Sequence, residues 1–477
     1  MATSASKWNI ATSALSFFTA SYDIFVFNSL NLVLDAEYGS FYTSGLRTRI
    51  TNSILVGAIL GEIFFGACSD FVGRKSCLLT TASILLLGSI LCACSTFGVD
   101  GSVFGTLWAL VICRGFLGFG VGGEWPCTAT TCSETSEEIS PRKRGRIVLF
   151  VLSMQGIGNL VATSVVVALI GITLRANGGS GWTNPSLEVI WRVAIALPAI
   201  PSLFILIYRW KMLDPRQFSN NNYKTFQKHP YRLVLKRFGW RLVSTCAVWF
   251  LFDVVFYTNS LFSSLIIGSV VPNATILKKA ELQLALVSIG LPGYYVSLFA
   301  VDKFGRKTWQ IFGLFMMGCI SIVIGGVLPY LKSVPAAFII TYGIYFFFSI
   351  FGECTTYMIP SEVFPTVLRG TFYGIAAAFG RTGAVVGTQI FEPIQKAVDN
   401  HSHSNILGAR VVFFINGGIA FIALVVSILG IPEYKGKCLE QDDMDLRSWM
   451  NEGTSSKEND NQLVSQTVEE FYTENKE

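Results

Sequence analysis

The sequence predicts an all-α membrane protein of about twelve transmembrane helices arranged as two six-helix bundles. Three observations predict it. The 477 residues are 51% hydrophobic and only 14% charged, whereas about a quarter of an average soluble domain is charged. Apolar runs of about 20 residues, enough to cross a bilayer, recur along the whole chain. One loop signature occurs twice: Asp70, Gly73, Arg74 and Lys75 return as Asp302, Gly305, Arg306 and Lys307. Each copy follows the second span of its half.

The spans fall at roughly 11–34, 51–69, 77–96, 105–127, 147–172, 190–209, 242–267, 282–300, 309–330, 336–359, 371–394 and 409–431. Residues 1–7 are polar and the run after them is long. It reads as a retained first helix, since a cleavable signal needs a short apolar core and a small-residue cleavage site. A basic segment at 210–241 separates the halves, giving an N-terminal bundle (1–209), a central loop (210–241), a C-terminal bundle (242–431) and an acidic tail (432–477). The tail is expected to be disordered or loosely helical.

Basic loops set the topology. Asp70–Lys75, Arg142–Arg146, the central segment and Lys303–Lys307 fall on one side, which the positive-inside rule makes cytoplasmic together with both termini. The sequons at Asn273 and Asn400 then fall on the opposite face, as candidate glycosylation sites. Two such sites suit a plasma membrane.

Composition also excludes function classes. The net charge of +5 is modest and mostly cytoplasmic, which gives no reason to invoke nucleic acid. The 11 cysteines lie mainly in apolar spans without a CxxC pair, and there are three histidines. They read as packing residues, with no metal site, cofactor or disulfide framework expected.

The fourth span carries the most chemistry. Arg114 opens a run that holds Gly118, Gly120, Gly122 and Gly123 and ends at Glu124. Ionisable groups in hydrocarbon are costly and usually face a cavity or a partner, while glycines let a neighbouring helix approach closely. The glycine spacing also matches a dinucleotide fingerprint, but that needs a preceding strand and a soluble helix. Arg114 is expected to link this helix to an acid such as Glu124.

Asp253 lies within an apolar span with Trp249 and Tyr257 at i−4 and i+4, so all three share one helix face. Burial disfavours the charged form of an acid, and a membrane carboxylate is a functional candidate by default. Asp253 either carries a proton or contacts solute, with a packing ion pair as the alternative. Arg381 could hold a phosphoryl group bidentately or neutralise Asp253 or Glu353. Asp23 and Glu124 are second candidates for proton carriage, and Glu62 reads as structural. Asp70, Arg74, Arg144, Asp302, Arg306, Glu362 and Arg369 are placed to form charge networks that break when the halves rock. The alternative is topology signalling by the basic residues, which does not require the interspersed acids.

These motifs resemble the major facilitator superfamily: the paired Asp70–Lys75 and Asp302–Lys307 loops, Arg114-x-x-x-Gly118-x-Gly120-x-Gly122, and Pro360-Ser361-Glu362-Val363-Phe364-Pro365-Thr366-x-x-Arg369-Gly370. Within it, Phe17–Asp23, Gly122–Pro126 and Trp249–Asp253 resemble the phosphate:proton symporter family, which includes fungal phosphate and glycerophosphodiester permeases. The resemblance covers about residues 10–432. It implies a substrate site of Glu124 with Trp125, Gln155, Trp249, Asp253 and Tyr257. The family's helix-four Asp-Tyr is Glu124-Trp125 here, Cys354 replaces its helix-ten asparagine, Ala20 its first-helix aspartate and Arg381 its helix-eleven lysine. Glu353 could select against bare phosphate by repulsion. The departures favour a glycerophosphodiester over inorganic phosphate.

The expectation is a proton-coupled secondary transporter, acting as a monomer, that imports a small phosphate-containing anion. A sugar or other organic-solute porter of the same fold and a non-transporting nutrient receptor are the alternatives. No nucleophile, metal cluster or nucleotide loop stands in a setting that would suit an enzyme.

Overall fold

The computed structural model describes residues 4–95, 103–176, 184–212, 231–402, 407–437, 443–444 and 448–449. In the first half, α1 (Ser4–Tyr38), α2 (Ser44–Phe71), α3 (Arg74–Ala93), α4 (Val103–Ile139) and α5 (Arg144–Ala176) are followed by α6 (Asn184–Ala196) and α7 (Ala199–Trp210), which form one span. In the second half, α8 (Tyr231–Leu261) continues into the short α9 (Ser263–Val270), and α10 (Ile276–Gly290) with α11 (Pro292–Phe304) forms one span. Then come α12 (Arg306–Leu331), α13 (Pro335–Glu362), α14 (Arg369–Ser402) and α15 (Leu407–Gly430).

Eleven of these spans are long and apolar enough to cross a bilayer. The twelfth, α14, has 34 residues but is less apolar, because it carries Arg381 among small residues. Side chains such as Ile112, Leu203, Phe204 and Leu429 point outward and exposed, as a lipid-facing surface requires and a water-facing one would not tolerate. The result is the two-bundle fold the sequence predicts.

Close backbone approach builds the first bundle. A Cβ at Gly118 would collide with the Ile54 carbonyl oxygen, and one at Gly122 with that of Ala58. The helix-four glycines therefore serve α2–α4 packing, not a nucleotide. Across the halves, α2 packs along α14 and α5 packs along α10 and α11.

The two copies of the loop signature have one geometry. Gly73 (φ 113°, ψ 152°) and Gly305 (φ 100°, ψ 161°) precede α3 and α12, in a region only glycine enters readily. That turn brings Arg74 to Asp70 at 2.7 Å and Arg306 to Asp302 at 3.1 Å.

Several boundaries differ from expectation. The sixth, seventh and eighth spans are broken at Pro198, Phe262 and Leu291–Pro292. Proline supplies the cause in two of the three, because it removes a backbone donor. Helix α4 runs past 127 to Ile139, because its polar residues from Thr128 to Glu137 are buried between helices. The central loop lies partly outside the described residues (213–230), and from Tyr231 it is already helix. The start of the tail is ordered, not loose. Glu433 accepts from the Arg306 and Lys307 amides at 3.0 and 3.1 Å, as a carboxylate at a helix N-terminus should. Asp443 accepts from the Thr366 amide at 2.7 Å and its hydroxyl at 2.6 Å. Residues from 450 onward lie outside the described residues.

Candidate functional site

Arg381 is 1% exposed and reaches from the second half to the first. From α14, its Nε donates to Glu62 Oε1 on α2 at 3.2 Å. Its Nη1 donates to the Tyr257 hydroxyl and lies 3.6 Å from Asp253 Oδ2, both on α8. Its guanidinium lies over the Trp125 ring at 4.1 Å and the Tyr257 ring at 4.8 Å. Asp253 and Tyr257 reach one cation because they are one helical turn apart.

Aromatic rings enclose this charge. Trp125 packs on Phe17 and Tyr357. Trp249 meets Tyr373 edge-on, and Tyr373 meets Tyr357. Several polar atoms here are buried without a hydrogen-bond partner among the described residues: Arg381 Nη2, Glu62 Oε2, Asp253 Oδ2 and the Tyr357 and Tyr373 hydroxyls. Buried polar groups are nearly always bonded, so these atoms have hydrogen-bonding capacity left over.

A second acid stands beside it. Glu353 on α13 accepts from Gln155 Nε2 on α5 and, at 2.8 Å, from the Tyr294 hydroxyl on α11. Glu353 is electrostatically linked to both Arg381 and Asp253. Arg381 thus pairs with Asp253 and Glu62 and not with Glu353.

The expected Arg114–Glu124 link does not exist. The two residues are ten positions apart on one helix, about 15 Å of rise. Arg114 donates to the Ile50 carbonyl at 3.0 Å and lies over the Phe27 ring at 3.5 Å. Glu124 is instead held by both terminal nitrogens of Arg209, and by Thr81 at 2.9 Å and Thr128 at 2.6 Å. Asp23 accepts from Ser89 at 3.5 Å. The bonds of Asp23 and Glu124 thus run within the first half, away from Arg381.

All seven loop residues are engaged in ion pairs on the basic face. Glu362 accepts from Arg144 at 2.8 Å and Arg306 at 3.0 Å. Arg74 and Arg369 meet on Glu134, at 3.0 and 3.1 Å. Asp70 accepts from the Gly370 and Thr371 amides across the halves, and Arg146 lies 3.7 Å from Asp302. The halves are also bonded to each other towards the other face, Asn28 to Ser260 and Ser263 and Thr388 to Asn52. Asn273 is exposed in the turn before α10, and the side chain of Asn400 lies outside the described residues.

Sequence reasoning missed four members of these networks. Glu62 reads as structural in the sequence, with no sign there of its contact with Arg381. Arg209 closes the expected span 190–209 and drew no reading, although it follows the apolar run Phe204–Tyr208 as Arg114 follows its own. Glu134 lay beyond the expected end of the fourth span. Tyr294 follows the Pro292 break and carries no charge to betray it.

Two bundles of six spans around a buried, incompletely satisfied charge cluster define a membrane transporter. A family model described as "Sugar (and other) transporter" matches residues 8–218 and 214–446, and the chain belongs to that family, within the major facilitator superfamily. It is 33% identical over 429 residues to "Glycerophosphoinositol permease 1" of Candida albicans, covering 89% of this chain and 78% of that one. It is 30% identical over 496 residues to "Probable inorganic phosphate transporter 1-6" of Arabidopsis thaliana, covering 91% and 92%. Among solved structures, the proton:xylose symporter XylE bound to 6-bromo-6-deoxy-D-glucose superposes with a TM-score of 0.76 at 20% identity, covering 93% of this chain and 99% of that one. The relatives are transporters and not enzymes, and so is this protein.

Proposed function

We propose that this transporter imports a phosphate-containing organic anion together with protons, and prefers a glycerophosphodiester to inorganic phosphate. One observation carries the reading: two carboxylates, Asp253 and Glu62, share the guanidinium of Arg381, and a third, Glu353, stands nearby held by Gln155 and Tyr294 with no cation paired to it among the described residues. With all three ionised, the centre is negative. An anion seated about 5 Å from an uncompensated carboxylate is opposed by about 3 kcal/mol at an effective dielectric of 20. Protons arriving with the anion remove that opposition. Arg381 supplies the planar fork that matches a phosphoryl group, and Trp125, Trp249 and Tyr257 form the walls.

The curated relatives support the substrate class, since their names include a glycerophosphoinositol permease and an inorganic phosphate transporter. The basic face is cytoplasmic on this reading. Its ion pairs hold that face shut until the halves rock, and a monomer in the plasma membrane suffices. Asp253 is the primary proton carrier, since its Oδ2 lies 3.6 Å from Arg381 and has no hydrogen-bond partner among the described residues.

The test is uptake into proteoliposomes under an inward proton gradient, comparing labelled glycerophosphodiester with labelled phosphate. The diester should accumulate, and accumulation should vanish in Asp253→Asn or when the gradient is dissipated. Uptake indifferent to the gradient, or none by folded protein, would overturn the reading.

A further inference from the structure

Beside the Arg381 centre lies a cavity of about 40 Å³, room for about three waters. Its walls come from both halves: Phe25 on α1 and Asn159 on α5, with Phe256 on α8, Gln283 on α10, Tyr294 on α11 and Phe346 on α13. A space bounded by two halves widens when they part, so its present size is not an upper limit on what it takes. Phe25 stacks on Tyr257 at 6.2 Å, and that ring pair divides the cavity from Arg381. Tyr294 joins the two, because it lines the cavity while its hydroxyl holds Glu353.

The cavity contains unmet polar groups. Gln283 is 1% exposed, and its Oε1 has no partner among the described residues. Asn159 Oδ1 is likewise buried and unpartnered. A buried amide left without a hydrogen bond is destabilising, and these two face one space from opposite halves. Each acceptor needs an O–H or N–H. A quaternary ammonium offers neither, although the phenylalanines could still surround one. A hydroxylated ring or polyol offers several.

We propose that this cavity is a second subsite, which takes the second alcohol of a glycerophosphodiester, the one other than glycerol, while the phosphoryl group rests against Arg381. This rests on the transport reading above and narrows it, to glycerophosphodiesters whose second alcohol is a polyol. Gln283 and Asn159 then determine specificity without contributing to the phosphoryl site.

The experiment is equilibrium binding to the purified full chain in detergent, with glycerophosphoinositol, glycerophosphocholine and inorganic phosphate as probes. Wild type should bind the inositol diester more tightly than the choline diester. Gln283→Leu, nearly equal in volume, should weaken the inositol diester roughly tenfold and leave phosphate unchanged. Val287→Phe, which fills the cavity, should abolish diester binding and spare phosphate, so a misfolded Gln283 variant does not leave the matter open. Equal loss of all three probes, no loss of any, or equal affinity for the two diesters would overturn the subsite while the transport reading stands. Failure of folded wild type to bind any phosphate compound would overturn both.

Discussion

Replacing Glu362 by Gln should loosen the basic face by an amount the structure allows one to work out. Glu362 is fully buried on α13. It accepts from Arg144 Nε at 2.8 Å, and from Arg306 Nε and Nη2 at 3.0 and 3.2 Å. Deleting one member of a buried ion pair costs about 3–5 kcal/mol, because the other charge stays buried. Here each arginine keeps a second carboxylate, Arg144 with Glu137 at 2.5 Å and Arg306 with Asp302 at 3.1 Å. Glutamine also keeps one acceptor oxygen. The net cost should therefore be about 2–3 kcal/mol, below the range for a pair with no fallback.

That cost falls on the conformation closed at the basic face, since Arg144 and Glu362 belong to different halves. It corresponds to a roughly 30- to 150-fold shift towards opening. Amide hydrogen exchange in nanodiscs would read it, as lost protection at the ends of α4 and α13. Glu281→Gln is the control, since its pair with Lys278 is exposed and worth about 0–1 kcal/mol. If exchange at the two helix ends were as unaffected by Glu362→Gln as by Glu281→Gln, the basic-face ion pairs would not hold the halves together.

Two further outcomes follow from the geometry. Gly305→Ala should destabilise by about 1–3 kcal/mol, the cost of forcing a side chain into that backbone region. Gly45→Ala, in an open helical position, should be neutral or better; equal melting temperatures for the two variants would contradict this. Arg209→Met leaves Glu124 buried without its cation and should cost about 3–5 kcal/mol. Adding Glu124→Gln should restore part of it, and a double variant that melts no higher than the single one would mean the pair is not coupled.

What the sequence revealed follows from the physics of each signal. Span length and apolarity are properties of single segments, so all twelve spans could be read directly, 371–394 included although Arg381 lowers its apolarity. The recurrence of Asp70–Lys75 as Asp302–Lys307 was legible as a repeat, but the matched positive-φ turns at Gly73 and Gly305 appear only in the structure. Trp249, Asp253 and Tyr257 were legible as one face because three residues on one helix need no tertiary knowledge. Pairings between helices were not legible. Nothing in the one-dimensional pattern says that Arg209 and not Arg114 meets Glu124, or that Glu62 meets Arg381 from the other half. An acid in a membrane span announces that it has a partner, but rotation and depth of two helices decide which. The polar end of α4 was lost for a related reason: a run such as Thr128–Glu137 reads as loop until neighbouring helices are there to bury it.

The contacts of Arg381 suggest why an anion and a proton would travel together. Its Nε and Nη1 are spent on Glu62 from one half and on Tyr257 and Asp253 from the other, while Nη2 is unspent. On the proposed reading, a phosphoryl group approaching that fork competes with the two carboxylates for the same donors. A carboxylate displaced in its charged form would stay buried in a water-poor interior, where an unpaired ion costs several kcal/mol. Displaced as the neutral acid, it does not. Anion binding and protonation therefore favour one another through a single cation, and by linkage the anion strengthens the proton's binding by the same factor. The bridge itself changes too: with Glu62 released from Arg381, a direct ionic tie between α2 and α14 is gone, and those two helices pack along each other across the halves. Loading the site thus weakens what holds the halves in one arrangement, which is the condition for them to rock.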